Sequence, residues 1–271
     1  MNLKTITIAI PALNAAKTIG STLESLRNLD DIVGIVVVDS YSVDETVEIA
    51  KSFGAEILEC PPGNMYTAVN MGLSGATTPW VTYINADDLI YSTSLLERLS
   101  RIGSDADISY GTVDFIDGDG RFLRSWRPAR EAALLPLYQA GFSPMLQQGT
   151  LIRRELFENL GGFSTKYRYV SDADFWFRAL EADAEFRYVG PATVAAFRLH
   201  EAQITQQKKV EMEAEHRAMV DNHGGPQSSL ATKAEFWRWR CRNAGSYLER
   251  WHRAHRIGAQ RVFCGSYDLP S

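Results

Sequence analysis

The chain has 271 residues, 45% hydrophobic and 23% charged, with a formal net charge of −5. That is an ordinary globular composition, long enough for one large domain or one domain with an appendage, and its acidic balance argues against a nucleic-acid binder. Cys60, Cys241 and Cys264 lie far apart without CxxC spacing, so they read as reduced thiols and not as a disulfide framework or a zinc site. No stretch approaches the roughly 18 apolar residues of a membrane span. The N-terminal apolar run breaks at Pro11, too soon for a signal core. These features imply a cytoplasmic protein, free or held peripherally at the inner face of the cell membrane.

In chain order, residues 5–10 form a β-branched strand, and residues 15–29 place Ile19, Leu23 and Leu26 at helical spacing. Residues 34–38 read as a second buried strand. Residues 44–53 read as a helix, with Asp44 at its cap and Glu48 in its early turns. A short strand at 56–60 and a helix at 67–76, with Ala68, Met71 and Leu73 to pack, lead to a fourth strand at 80–84. Strands apolar on both faces with helices between them predict a parallel, doubly covered sheet. The middle is less regular: strands at 108–110 and 120–125 joined through a Gly/Asp turn, a strand at 147–152, and a short helix at 154–159 ending at Gly161-Gly162. A helix at 171–180 starts in an acidic turn, and 188–197 holds a last strand or two. Beyond residue 205 the composition shifts to a polar helix at 206–222, a Gly224-Gly225-Pro226 breaker and a basic, aromatic segment at 233–261. The organisation implied is a domain over 1–205 and a helical extension over 206–271.

Ligands of parallel sheets sit at the C-terminal ends of the strands. Residues 11–14, 39–42 and 85–88 all fall there. Asn85, Asp87 and Asp88 make an oxygen-rich terminus suited to Mg²⁺ or Mn²⁺, ions that bind phosphates; the bland alternative is a polar turn. Asp39 closes a buried strand, where a carboxylate needs a partner such as a nucleobase N–H, whereas Ser42 and Asp44 read as helix caps. Residues 63–72 offer the backbone N–H groups of a helix start to an anion. The absence of a GxGxxG fingerprint and of a Walker loop disfavours a dinucleotide enzyme and a P-loop NTPase.

Five segments in order resemble the inverting family 2 glycosyltransferases of the GT-A fold: IPALN (10–14), VVDSYSVDET (37–46), GNMYTAVNMG (63–72), YINADD (83–88), and GGF (161–163) followed by SDADFWFR (171–178). The resemblance covers roughly residues 4–205. It implies an α/β architecture with a mixed, Rossmann-like sheet covered by helices on both faces, plus a C-terminal helical extension. It also implies metal-assisted, inverting transfer of a sugar from a UDP- or GDP-linked donor to a glycan or lipid-linked acceptor, in surface polysaccharide synthesis. Carried over residue by residue, Pro11 and Asn14 border the nucleoside and Asp39 pairs with the base. Ser40, Tyr66 and Asn70 belong to the nucleotide-sugar site. Asn85-Ala86-Asp87 takes the Asp-x-Asp position, with Asp87 and Asn85 facing a Mn²⁺ or Mg²⁺ ion and His200 as a further metal ligand. Asp172 is the general base.

Three positions depart from the family pattern. Asn85 replaces the first Asp and removes a charge from the metal site, Tyr41 stands where many members have Gly, and Ser171 replaces the Glu before Asp172. Asp174 competes with Asp172 as base, or pairs with Arg178 at i+4. Trp176, Gln147, Gln148 and Arg198 are further candidates for the site walls. A catalytically degenerate binding protein of the same fold is the main alternative. A sugar-phosphate nucleotidyltransferase is disfavoured, because the PALNAAK segment after the first strand lacks a glycine-rich basic loop. Residues 233–261, with seven arginines and one lysine against two glutamates, fit three roles: an interfacial helix on anionic lipid, a docking or oligomer surface, and a helix packed on the domain.

Overall fold

The computed structural model describes residues 4–27, 29–103, 105–199 and 208–256; His200 and Cys264 lie outside them. The first half runs β1 (Ile6–Ala12), α1 (Ile19–Glu24), β2 (Val33–Asp39), α2 (Thr46–Ser52), β3 (Glu56–Glu59), α3 (Met65–Ser74) and β4 (Trp80–Tyr83). Next come β5 (Leu89–Ile90), α4 (Ser92–Arg101), β6 (Ile108–Asp117), β7 (Phe122–Trp126) and α5 (Glu131–Gln139). The chain continues through β8 (Thr150–Arg153), α6 (Arg154–Asn159), α7 (Ser171–Glu181), β9 (Phe186–Leu199), α8 (Lys209–Asn222) and α9 (Leu230–Arg256).

The strands form one sheet in the order β3-β2-β1-β4-β8-β6-β9-β5, with β7 paired to β6. β1 to β4 are mutually parallel, as the continuous apolar runs of β1, β2 and β4 predict. β8 then enters antiparallel between β4 and β6, and β5 pairs antiparallel with β9, so the whole sheet is mixed. Ile6, Ile8, Ala9 and Ile10 of β1 are fully buried, which fixes this strand at the centre of its half. α3 lies directly on it: a Cβ built on Gly72 would stand 2.8 Å from Val38 and 2.9 Å from Ala9, so only glycine permits this approach.

Several elements differ from the sequence reading for local reasons. α1 is shorter than the 15–29 stretch because residues 15 and 16 are used otherwise. The N–H of Ala15 donates to Thr46 Oγ1 and that of Ala16 to Asp44 Oδ2, tying this loop to the start of α2. α3 begins at Met65, two residues early, because the Asn64 side chain caps it by accepting from the Tyr66 N–H at 2.9 Å. α5 was hidden by Pro136, a helix breaker that it nevertheless contains. The two-residue β5 and α4 were not anticipated.

α9 rests on β7 and α5. Trp239 meets Trp126 edge-on at 5.6 Å, and its indole N–H donates to the Arg127 carbonyl at 3.0 Å. Asn243 brackets the same residue, accepting from its N–H and donating to its carbonyl. Among the described residues, no helix is long and apolar enough to cross a membrane.

Candidate active site

The C-terminal ends of β1, β2 and β4 open into a cavity of about 1000 Å³, at the upper end of the usual range for ligand sites. Its other walls come from the start of α3, from α5 with the following loop to Gln148, from residues 168–176 and from Phe197-Arg198. Pro11, Asn14, Ser40, Tyr66, Asn85, Ala86, Asp87 and Asp172 all line it. Residues from the separate motifs of the sequence therefore converge on one cleft.

The loops after β1 and β2 are laced together beneath this cavity. Asn14 and Tyr41 both hold left-handed backbone conformations, φ 50° and 62°, unusual for residues with a Cβ and characteristic of functional loops. The Asn14 N–H donates to Ser42 Oγ at 2.8 Å, and Asn14 Oδ1 accepts from the Val43 N–H at 2.9 Å. Ser42 in turn donates to Asp39, through its hydroxyl at 2.5 Å and its N–H at 2.8 Å. Asp39 is buried behind the wall and does not line the cavity. The carboxylate accepts from Ser42 and braces the loop that presents Ser40 and Asn14.

Asn70 likewise pairs within the chain. Its amide donates to the Phe163 carbonyl at 2.7 Å and its Oδ1 accepts from the Phe163 N–H at 3.0 Å. Gly161 and Gly162 both have positive φ, and a Cβ on Gly162 would stand 2.9 Å from Asn70 Oδ1. Asn70 therefore clasps the glycine turn instead of reaching the cavity.

The terminus of β4 is organised around Asp88, which is fully buried. Its Oδ2 accepts from Asn85 Nδ2 at 3.0 Å and Gln148 Nε2 at 2.9 Å, and its Oδ1 from the Arg198 N–H at 2.9 Å. Burial, then the charge of neighbouring Asp87, pushes its pKa up to about 8, with these hydrogen bonds pulling the other way. Because Asp88 takes the amide nitrogen of Asn85, the Asn85 side-chain oxygen is left for the cavity. Asn85 thus serves Asp88 through its nitrogen where the family pattern has a carboxylate. Arg198 closes this end, donating from Nε to the Asp87 carbonyl at 2.7 Å and from Nη1 to the Gly118 carbonyl at 3.0 Å.

Asp87 and Asn85, half-buried on the wall, offer oxygen donors of the kind Mg²⁺ and Mn²⁺ take. Among the described residues, no group of three or more His, Cys, Asp or Glu side chains stands together as a metal cage. The donor set therefore fits an ion that completes its shell from phosphate oxygens and water, as Mg²⁺ commonly does.

Asp172 sits in the first turn of α7, on the cavity wall. Its Oδ1 accepts from the Tyr66 hydroxyl at 3.1 Å and from the Ala173 N–H at 2.9 Å. Oδ2 has no protein partner among the described residues, which leaves it for a ligand. Enclosure raises the Asp172 pKa above the ordinary carboxylate value, opposed by these two bonds. Glu215 of α8 braces the loop ahead of it, accepting from the N–H groups of Arg168 and Tyr169 at 2.6 Å each. The competing Asp174 faces away: it is buried against Arg178 at 2.8 Å and His223 at 3.2 Å. Arg178 extends the contact to the carbonyls of Leu160 and Gly162, holding the glycine turn. Ser171 is fully buried and lies off the wall.

Trp176 belongs both to the core and to the cavity wall. Gln147 donates its amide N–H to the Tyr83 carbonyl. Its Oε1, and the Tyr138 hydroxyl, are buried without a hydrogen-bond partner among the described residues. Both residues line the cavity, and such orphaned groups are costly unless a ligand satisfies them. Sequence reasoning missed Tyr138, Tyr83, Lys17, Arg168 and Met212 on the walls. Pro136 masked the helix carrying Tyr138, and Arg168 lies in an aperiodic loop.

A mixed sheet with helices and a cleft at the ends of its parallel strands is the arrangement of the GT-A class of α/β enzymes, which comparison with known proteins supports. The family model for glycosyl transferase family 2 matches residues 7–161, and the chain belongs to that family. A PGL/p-HBAD biosynthesis glycosyltransferase of Mycobacterium bovis is 30% identical over 187 residues, 65% of this chain and 70% of that one. Among solved structures, S. aureus TarS residues 1–349 aligns with a TM-score of 0.60 at 17% identity, covering 93% of this chain and 72% of that one. The glucosyl-3-phosphoglycerate synthase of Mycobacterium tuberculosis, in complex with Mn²⁺, UDP and glucosyl-3-phosphoglycerate, aligns with a TM-score of 0.59 at 19% identity, covering 83% and 82%. The structural likenesses speak to the fold alone; with the family match, they make this chain a glycosyltransferase.

Proposed function

We propose that the protein transfers a sugar from a UDP- or GDP-linked donor to an acceptor hydroxyl with inversion at the anomeric carbon, and that Asp172 is the general base. The observation that carries this reading is that one cavity holds both the Asn85–Asp87 terminus and the Asp172 carboxylate, whose Oδ2 is open to a ligand. Asp172 Oδ2 takes the acceptor proton as the acceptor oxygen bonds to the anomeric carbon. The bond from that carbon to the diphosphate breaks, and its electron pair leaves with the diphosphate. Asp87 and the Asn85 oxygen would hold Mn²⁺ or Mg²⁺, which when bound offsets charge on the leaving diphosphate. Pro11, Asn14 and Ser40 border the nucleoside. Holding donor and acceptor together contributes much of the rest of the acceleration.

We place the reaction in the cytoplasm, on a glycan or lipid-linked acceptor of surface polysaccharide synthesis. Two structural neighbours support this choice of donor and ion: the mannosyltransferase PcManGT of Pyrobaculum calidifontis in complex with GDP-Man and Mn²⁺, and the glucosyl-3-phosphoglycerate synthase with UDP and Mn²⁺. The chain divides at about residue 205 into a transferase domain and a helical extension, of which Glu215 and Met212 support the cavity. A thermal-shift screen of nucleotide diphosphates and nucleotide sugars, with and without Mn²⁺, tests the reading. A UDP or GDP compound should raise Tm, because a ligand of the native state stabilises it. No shift with any of them contradicts it.

A further inference from the structure

The outer face of α9 carries an apolar stripe that nothing in the described chain covers. Leu230, Trp237 and Leu248 are 85%, 65% and 68% exposed, and Ala234, Cys241 and Ala244 between them are exposed too. Their spacing alternates four and three residues. At about 100° per residue this puts all six within roughly 40° of one line along the helix. The opposite face is the one that docks, through Trp239 and Asn243.

Charge rims the stripe on both sides. Arg238 stands on one flank, and Lys233 and Arg240 on the other, all exposed. Among the described side chains the acidic group here is Glu235, paired with Arg238, and the sequence places a second glutamate, Glu249, beside Leu248. From Leu230 to Arg256 the sequence has six arginines and one lysine against two glutamates, a charge of +5; the whole chain carries −5, so the remainder carries −10. An isolated ion pair or a random surface helix does not give this segregation.

We infer that this face of α9 is an interfacial surface that lies on an anionic lipid bilayer, with Leu230, Trp237 and Leu248 entering the headgroup boundary and Lys233, Arg238 and Arg240 contacting lipid phosphates. An apolar stripe with basic rims and a central tryptophan is the arrangement that binds such an interface. A second copy fits less well, because joining two such stripes brings the basic rims of one against those of the other. The inference stands apart from the sugar-transfer reading, since the contact needs neither donor nor acceptor.

The test is flotation of the full chain, without substrate, on phosphatidylcholine vesicles with and without phosphatidylglycerol. The protein should float with the anionic vesicles, stay behind with the neutral ones, and be released by high salt. Trp237→Asp with Leu248→Asp should weaken binding by about a hundredfold or more. Lys233→Gln, Arg238→Gln and Arg240→Gln together should weaken it by about a hundredfold. The second set keeps the apolar stripe and reads the same contact if the first impairs folding. Equal partitioning to both vesicle types, no partitioning at all, or charge variants that bind like the parent would overturn the inference. So would a parent dimer in light scattering that the Asp substitutions convert to monomer without any vesicle binding.

Discussion

The Tyr66 hydroxyl donates to Asp172 Oδ1 across 3.1 Å and joins the start of α3 to the start of α7. Tyr83, at the end of β4, packs edge-on against the Tyr66 ring with centroids 6.1 Å apart. Both phenols are buried, and desolvation holds their pKa values well above the usual tyrosine range, so they remain protonated donors. The series Tyr83, Tyr66, Asp172, joined first by ring packing and then by this hydrogen bond, connects the strand that carries Asn85–Asp87 to the carboxylate assigned as base. It fixes one oxygen of that carboxylate and leaves the other to the acceptor.

Tyr66→Phe tests this positioning. A hydrogen bond to a carboxylate favours its ionised form, so its loss should raise the Asp172 pKa further. The acid limb of the kcat–pH profile should move to higher pH, with the largest rate loss at the acid end. A uniform loss at every pH would show that Tyr66 only packs.

Burial of Asp172 also predicts a stability effect with a defined sign. Its folded pKa is raised above the unfolded value. Folding therefore favours the protonated form, and the wild type loses stability as pH rises from the ordinary carboxylate range through the folded pKa. Asp172→Asn carries no such penalty. Its Tm should exceed that of the wild type at pH 7, and the difference should vanish below about pH 4. A lower Tm at pH 7 would contradict the assignment of burial as the dominant influence.

Asp174 is expected to behave in the opposite way. Asp174→Ala strips Arg178 and His223 of a buried partner and should cost about 1–3 kcal/mol. For a chain of this size that lowers Tm by about 2–4 °C per kcal/mol. Nucleotide affinity measured well below Tm should be unchanged. Loss of turnover without loss of stability would move the base assignment to Asp174.

Asn85→Asp restores the family's usual carboxylate but removes the donor that Asp88 uses. Without metal, the variant should lose about 1–3 kcal/mol. Mn²⁺ should recover part of that loss, since the added carboxylate is a better ligand. Calorimetry with and without Mn²⁺ reads both effects, and an unchanged metal-free Tm would contradict the pairing of residues 85 and 88.

Much of the fold was legible because its parallel half is locally encoded. β1, β2 and β4 are apolar on both faces, and each ends on polar residues that meet at one cavity. The antiparallel insertion of β8 depends on long-range pairing with β4 and β6, which no local pattern reports. At the site, residue type pointed to Asn85 and Asp87 and the family resemblance to Asp172, and all three line the cavity. Neither revealed that Asp39 and Asn70 spend their polar groups on Ser42 and Phe163, because such internal partners are set by tertiary contacts. Tyr138 was missed because a proline lies in its helix, although the orphaned hydroxyl is evident once the fold is assembled.

The most direct test of the central claim compares wild type and Asp172→Asn in a transfer assay, with nucleotide diphosphate affinity measured in parallel. The expected result is a kcat lowered by about 10²–10⁴-fold at unchanged nucleotide affinity. Turnover by Asp172→Asn at the wild-type rate would contradict it.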